Sequence, residues 1–151
     1  MPIRYALEPD LSVEEFIDVL RRTSLGERRP LDDRRTMEGM LRGAQVIVTA
    51  RDDGGRLVGV ARSITDFHYC LYLADLAVDE AIQRQGVGRE LMRRTHEAAG
   101  KHTMLILLAA PKAKSYYPHV GPSIGMKQHD SCWVIDRQPR QPAPVRSPSP
   151  S

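Results

Sequence analysis

The stretch that decides the fold is Tyr72–Glu97, YLADLAVDEAIQRQGVGRELMRRTHE. Its opening residues, Tyr72 to Val78, are apolar apart from Asp75 and read as a buried strand. A short polar link follows, then a glycine-bearing turn at Gly86 and Gly88, then an amphipathic helix. Strand, loop and helix in this order place unpaired backbone N–H groups at the positive end of a helix dipole, an arrangement that receives a phosphate. Two phosphate-loop types are excluded. No lysine with a following hydroxyl residue stands at the turn, as a Walker loop requires, and Leu91 occupies the third glycine position of a dinucleotide fingerprint. A dinucleotide site also lacks its acidic residue at a strand end about 20 residues further on. What sets this turn apart is Gln83, three residues before Gly86.

The run Gln83-Arg84-Gln85-Gly86-Val87-Gly88 resembles the Q/R-x-x-G-x-G/A signature of the GNAT N-acetyltransferase superfamily, whose loop wraps the pyrophosphate of acetyl-CoA. The resemblance is densest from Leu71 to Gly121 and thin before Val46. It implies acetyl-CoA as co-substrate, no metal, and acetyl transfer to a primary amine by direct attack in a ternary complex. On the same resemblance the donors to the pyrophosphate are backbone groups of Arg84, Gln85, Gly86, Val87, Gly88 and Arg89, with the Gln83 side chain nearby. Arg84 or Arg89 adds a contact to the 3′-phosphate. Leu76, Ala77 and Val78 offer the pantetheine arm the N–H groups of a strand that splays from its neighbour at a bulge.

Acyl transfer from a thioester to an amine needs a polarised carbonyl, a neutral amine and a stabilised leaving thiolate. Ala113 to Gly121, AKSYYPHVG, resembles the family's A-x-x-[FY]-Y-x-x-x-G helix, in which the second aromatic residue protonates the departing sulfur. Tyr117 takes that position and Tyr116 is the packing aromatic. Pro122 replaces the family's phenylalanine, and the asparagine often found before this helix is absent. Asp75 is the candidate for binding the acceptor amine or taking its proton, with Asp66, His68 and His119 ranked below it. Cys70 lacks an assignable His or Asn partner and is not needed as a nucleophile.

Outward from this centre, residues 1–136 read as one GNAT domain. The expected class is α/β, a GNAT-like acyl-CoA N-acyltransferase fold with a central mixed sheet flanked by helices. A strand over Ile3–Leu7 precedes a helix opened by Ser12 as N-cap, with Glu15 completing a capping box and Leu11 and Phe16 forming a hydrophobic staple. A second helix runs from Asp33 to Arg42 and stops at Gly43. Between them Arg28 and Arg29 border the acceptor pocket on the resemblance, facing either solvent or an anionic part of the substrate. Val46–Ala50 and Leu57–Ser63 form a hairpin through Asp52-Asp53-Gly54-Gly55. Tyr69–Val78 is antiparallel to the second of these strands, Met104–Ala110 is parallel to Tyr69–Val78 across a right-handed helical crossover, a short helix covers Ala113–His119, and Cys132–Ile135 is a last strand.

Composition narrows the partners. Three of the 22 basic residues, Arg137, Arg140 and Arg146, lie in the C-terminal tail, which leaves 19 against 19 acidic residues in the body. That balance, with 5% aromatic residues, argues against a nucleic-acid face. No apolar run approaches the roughly 20 residues needed to span a bilayer, there is no signal-peptide core, and the expected location is cytoplasmic. Cys70 and Cys132 read as reduced, buried thiols without metal-ligand spacing. The tail over 137–151, rich in Pro, Ser and Arg, reads as disordered. The acceptor is left open between a small-molecule amine and a protein amine, and a homodimer is compatible with the resemblance. A second reading keeps the fold and drops the reaction, giving an acyl-CoA-binding or regulatory module.

Overall fold

The computed structural model describes residues 2–140, so most of the expected tail, from 141 on, lies outside the described residues. Residues 137–140 carry no regular structure. Five strands form one mixed sheet in chain order: β1 (Arg4–Leu7), β2 (Val46–Arg51), β3 (Leu57–Thr65), β4 (Cys70–Val78) and β5 (Met104–Ile106). The first four pair antiparallel, and β4 and β5 pair parallel. Among the described residues four α-helices flank the sheet, α1 (Val13–Arg21), α2 (Arg34–Arg42), α3 (Val87–Ala99) and α4 (Tyr116–Val120), with short 3-10 turns between elements. The mixed sheet flanked by helices is the expected class.

Local sequence explains most element boundaries. The Ser12 hydroxyl accepts from the Glu15 N–H at 3.2 Å and caps α1, while Leu11 and Phe16 are buried in one cluster, as a staple requires. The reciprocal half of the capping box does not form. The Glu15 carboxylate is drawn to Arg51 on β2, at 2.6 Å and 3.1 Å, because a guanidinium that also holds Glu8 offers a charge-assisted fork. Asp33 caps α2 by accepting from the Thr36 N–H. At the β2–β3 hairpin Gly55 adopts φ +84° and its N–H bonds the Asp52 carbonyl.

The sheet separates two cores. On one face Ile47, Val60 and Ala77 pack with Phe16, Leu20, Met37 and Leu41 of α1 and α2. On the other, Val48, Ala50, Ala61 and Leu73 pack against Val87, Leu91, Met92 and Ala99 of α3. The period of two along the strands sends alternate residues to alternate cores.

Three expectations are corrected. Strand β5 stops at Ile106 instead of running to Ala110, because its only partner, β4, pairs with it no further than Tyr72. Cys132–Ile135 is not a strand, and Trp133 and Ile135 are exposed. A four-residue run has no backbone bonds of its own, and no edge receives it here. Cys70 and Cys132 are exposed rather than buried: Cys70 opens β4 on a part of the sheet that no helix covers, beside exposed Tyr72, Met104 and Ile106, and Cys132 lies in the unpaired segment.

Phe16 is fully buried between α1 and the sheet. Phe16→Ala is expected to cost about 3–5 kcal/mol, read as a lower midpoint in guanidinium denaturation.

Candidate functional site

Strand β4 is held on both edges only over its first three residues. Cys70, Leu71 and Tyr72 face Met104, Leu105 and Ile106 of β5, and from Leu73 to Val78 no strand among the described residues lies beside that edge. The opposite edge stays paired to β3 to Val78, with one irregularity: Arg62 faces Asp75 and Ser63 faces Leu73, leaving Ala74 as a bulge residue. An open strand edge within the sheet presents backbone N–H and C=O groups to whatever enters the gap. Leu76, Ala77 and Val78 lie along it.

At the end of β4 the chain is pinned before it loops. The Asp79 carboxylate accepts from the Ala81 N–H at 2.9 Å and pairs with Arg22 at the end of α1, which also donates to the Leu57 carbonyl at 2.7 Å. Burial works against ionisation of Asp79, but these bonds hold its carboxyl below the ordinary range. The loop then turns tightly through two left-handed residues, Arg84 (φ 68°) and Gly86 (φ 81°). The Gln83 side-chain amide donates to the Val78 carbonyl at 3.1 Å and closes the base of the loop. Gly86 is the N-cap of α3 and supplies no side-chain cap, so the first-turn amides of a 13-residue helix face outward from the loop without a side-chain acceptor at the cap.

The two glycines serve different ends. A Cβ at position 86 would meet nothing within 4 Å, so glycine is called for there by its positive φ. A Cβ at position 88 would overlap the Tyr116 hydroxyl, so glycine is called for there by space. Tyr116 therefore reaches the first turn of α3. Tyr117 stands edge-on to it, with ring centroids 5.1 Å apart. Burial pushes the Tyr117 hydroxyl up to about 12, and the neighbouring Tyr116 adds to the rise.

On the other side of the bulge, Asp75 is fully buried between two arginines. Its Oδ2 accepts from Arg62 Nε, its cross-strand neighbour, and its Oδ1 accepts from Arg29 Nε at 2.6 Å. Arg29 Nη2 also donates to the Ala74 carbonyl at 2.9 Å, and Arg62 Nη1 to the Met40 carbonyl of α2 at 3.2 Å. Arg29 lines an open hollow of about 510 Å³ with Arg21, Gly26, Pro30, Leu31, Asp32 and Asp33, between the ends of α1 and α2.

A family profile for the acetyltransferase (GNAT) domain matches residues 42–121. The chain belongs to the GNAT acetyltransferase family. The matched region runs from the end of α2 through β2 to α4 and contains β4, the loop and both tyrosines. Solved structures share the fold. A GNAT-family acetyltransferase from Streptococcus pneumoniae TIGR4 is 21% identical over 90% of this chain and 100% of its own, with TM-score 0.66. The aminoglycoside N-acetyltransferase AAC(6')-Iy in complex with CoA is 14% identical over 92% of this chain and 96% of its own, with TM-score 0.68. The GNAT family N-acetyltransferase YhbS from Escherichia coli, in complex with CoA, is 18% identical over 76% of this chain and 67% of its own, with TM-score 0.59. A search of curated proteins found no match.

Within this GNAT domain, Leu76 to Val78 end β4 and Gln83 to Arg89 lead into α3, and the two stretches share a contact surface where a Cβ at Gly88 would stand 3.7 Å from Val78 Cγ2. Tyr116, expected only to pack, adjoins that surface at Gly88. Asp75 faces the other way, into the buried ion cluster, and both its oxygens are occupied. The sequence reading missed Arg62, and it placed Arg29 toward solvent or substrate rather than against Asp75. An arginine at the centre of a buried strand was the one available signal for Arg62. Of the lower-ranked groups, Asp66 accepts from the N–H groups of His68, Tyr69 and Cys70 in the β3–β4 turn, and His68 and His119 are exposed. Among the described residues no group of three His, Cys, Asp or Glu side chains is arranged to hold a metal, and no helix is long and apolar enough to cross a membrane.

Two outcomes follow from this geometry. Gly88→Ala is expected to push the half-buried Tyr116 hydroxyl aside, a cost largely offset by the roughly 1 kcal/mol that alanine gains over glycine within a helix, so thermal unfolding should change little, and Tyr116→Phe/Gly88→Ala should be more stable than Gly88→Ala alone. Tyr117 binds its proton more tightly folded than unfolded, so its contribution is intact below about pH 10 and is lost as pH rises toward 12. Denaturation midpoints over that range should fall more steeply in the native chain than in Tyr117→Phe.

Proposed function

We propose that this chain transfers the acetyl group of acetyl-CoA to a primary amine by direct attack in a ternary complex. The observation that carries the reading is the strand edge from Leu73 to Val78, which loses its partner immediately before a loop that opens on the uncapped start of α3. An extended amide-bearing arm fits such an edge, and a pyrophosphate fits such a helix start. The residues suit acetyl-CoA: backbone groups of Leu76, Ala77 and Val78 would hold the pantetheine arm, and Arg84 to Arg89 would hold the phosphates, with exposed Arg84 and Arg89 supplying charge. The relatives seen in complex with CoA share this fold.

The reaction balances without a covalent enzyme intermediate. The lone pair of a neutral amine attacks the acetyl carbon, a C–N bond forms, the C–S bond breaks, and the amine proton leaves to water. Tyr117 offers its hydroxyl proton to the departing thiolate and regains one from solvent; a hydroxyl held near 12 stays protonated at physiological pH and is always available as a donor. Asp75 is engaged with Arg29 and Arg62, so its part in this reading is to position those arginines, and water takes the proton. The hollow that Arg29 lines, between α1 and α2, is a candidate place for the acceptor. AAC(6')-Iy, with the same fold, is also known bound to a CoA–acetylneamine bisubstrate analogue, which makes small polyamine-like acceptors the first to try.

Isothermal titration with acetyl-CoA is the deciding measurement. The native chain should bind, and Gly86→Glu, which adds bulk and negative charge to the loop, should not. In a screen of primary amines that includes an aminoglycoside, Tyr117→Phe should lower kcat by about 100-fold with little change in acetyl-CoA affinity. Binding without turnover of any amine, protein lysines included, would support the acyl-CoA-binding module, and absence of binding would remove the acetyltransferase reading.

A further inference from the structure

We infer that Arg29, Asp75 and Arg62 form a fixed electropositive unit beside the β4 bulge that stabilises the negative charge developing on the acetyl carbonyl oxygen, with Arg29 as the residue that makes the unit positive. This rests on the acetyl-transfer reading above. Formally, two guanidiniums share one carboxylate, which leaves the cluster at +1. The Asp75 side chain is 0% exposed, that of Arg62 10% and that of Arg29 23%, so the excess charge sits where solvent screens it weakly.

The second arginine brings a charge that Asp75 does not need for neutrality. Arg62, directly across the strand pair, already neutralises Asp75, and bringing a further guanidinium into the same site carries a desolvation cost. Arg29 is placed by two consecutive residues of β4: Nε on the Asp75 carboxylate and Nη2 on the Ala74 carbonyl at the bulge. Those residues stand two and three positions past Tyr72, the last residue of β4 paired with β5, on the open part of the edge. A fixed charge held at the bulge, just past the last residue that β4 pairs with β5, costs no reorganisation when a carbonyl bound there becomes an oxyanion.

The surroundings leave this charge in place. Arg21, Asp32 and Asp33 line the same hollow, but all three are exposed to water, and both Asp33 oxygens are taken by Thr36. Arg28 is exposed and contributes its carbonyl to Arg29 Nη1 at 3.0 Å. Each Arg29 side-chain nitrogen therefore already donates once, which fixes the guanidinium in place.

The test is the infrared carbonyl band of [1-13C]acetyl-CoA bound to the native chain, to Arg29→Gln and to Arg29→Lys, with acetyl-CoA affinity measured in parallel. In the native chain the band should move to lower frequency than in free acetyl-CoA. Arg29→Gln should bind acetyl-CoA with unchanged affinity and lose most of that shift, and Arg29→Lys, which keeps the charge, should retain it. A merely structural role would not separate glutamine from lysine in the spectrum. A full shift in Arg29→Gln, or binding to the native chain with no shift, overturns the inference alone; if Arg29→Gln does not fold, the native spectrum and Arg29→Lys decide it. Failure of the native chain to bind acetyl-CoA overturns the acetyltransferase reading and this inference with it.

Discussion

Strand β4 is paired on both sides at one end and on one side at the other, and the remainder of the architecture depends on that asymmetry. The parallel ladder to β5 ends at Tyr72, while the antiparallel ladder to β3 continues to Val78. Backbone groups on the abandoned edge require polar partners, which water or an extended ligand can supply. Because β4 and β5 are parallel, their connection must cross the sheet through a helix, and α3 packs back over the face formed by Val48, Ala61 and Leu73. The start of α3 consequently lies beside the end of the open edge. One topological fact thus delivers an open strand edge and a helix start without a side-chain cap together.

Two buried acids fix the two ends of that edge. Asp79 ties the outgoing loop to Arg22 at the end of α1, and Asp75 ties the bulge to Arg29 in the α1–α2 connection and to Arg62 on β3. Each joins a segment of β4 to a part of the chain tens of residues away. Buried ion pairs add little net stability, because desolvation offsets the attraction, yet they are strict about geometry. Their effect here is to hold the loop on one side and the α1–α2 connection on the other in register with a strand edge that lacks a partner of its own.

The tyrosines show how a local motif acquires its meaning from packing. Tyr116 and Tyr117 are adjacent in a five-residue helix, and sequence alone ranks them only by analogy. In the fold the Tyr116 hydroxyl reaches Gly88, which explains the second glycine of the loop by space, whereas the first is explained by its backbone angle. Tyr117 is withdrawn from water far enough that its proton is held up to about 12.

What the sequence determined by itself is what short-range physics controls. The Ser12 and Asp33 caps, the glycine turn of the β2–β3 hairpin, the left-handed Gly86 and the alternation that divides two cores are set by contacts within a few residues, and all stand in the structure. The loop that carries the family signature was legible for the same reason, since a glycine turn between a strand and a helix is a local object. Tertiary structure decided the rest. Glu15 left its own capping box for Arg51, 36 residues away, and Arg29 joined Asp75 across 46. Cys132–Ile135, apolar enough to read as a strand, remained unpaired because a strand exists only beside a receiving edge. Charged side chains choose among many partners of equal local merit, and strands have no bonds of their own, so only the packed chain fixes which pairs form.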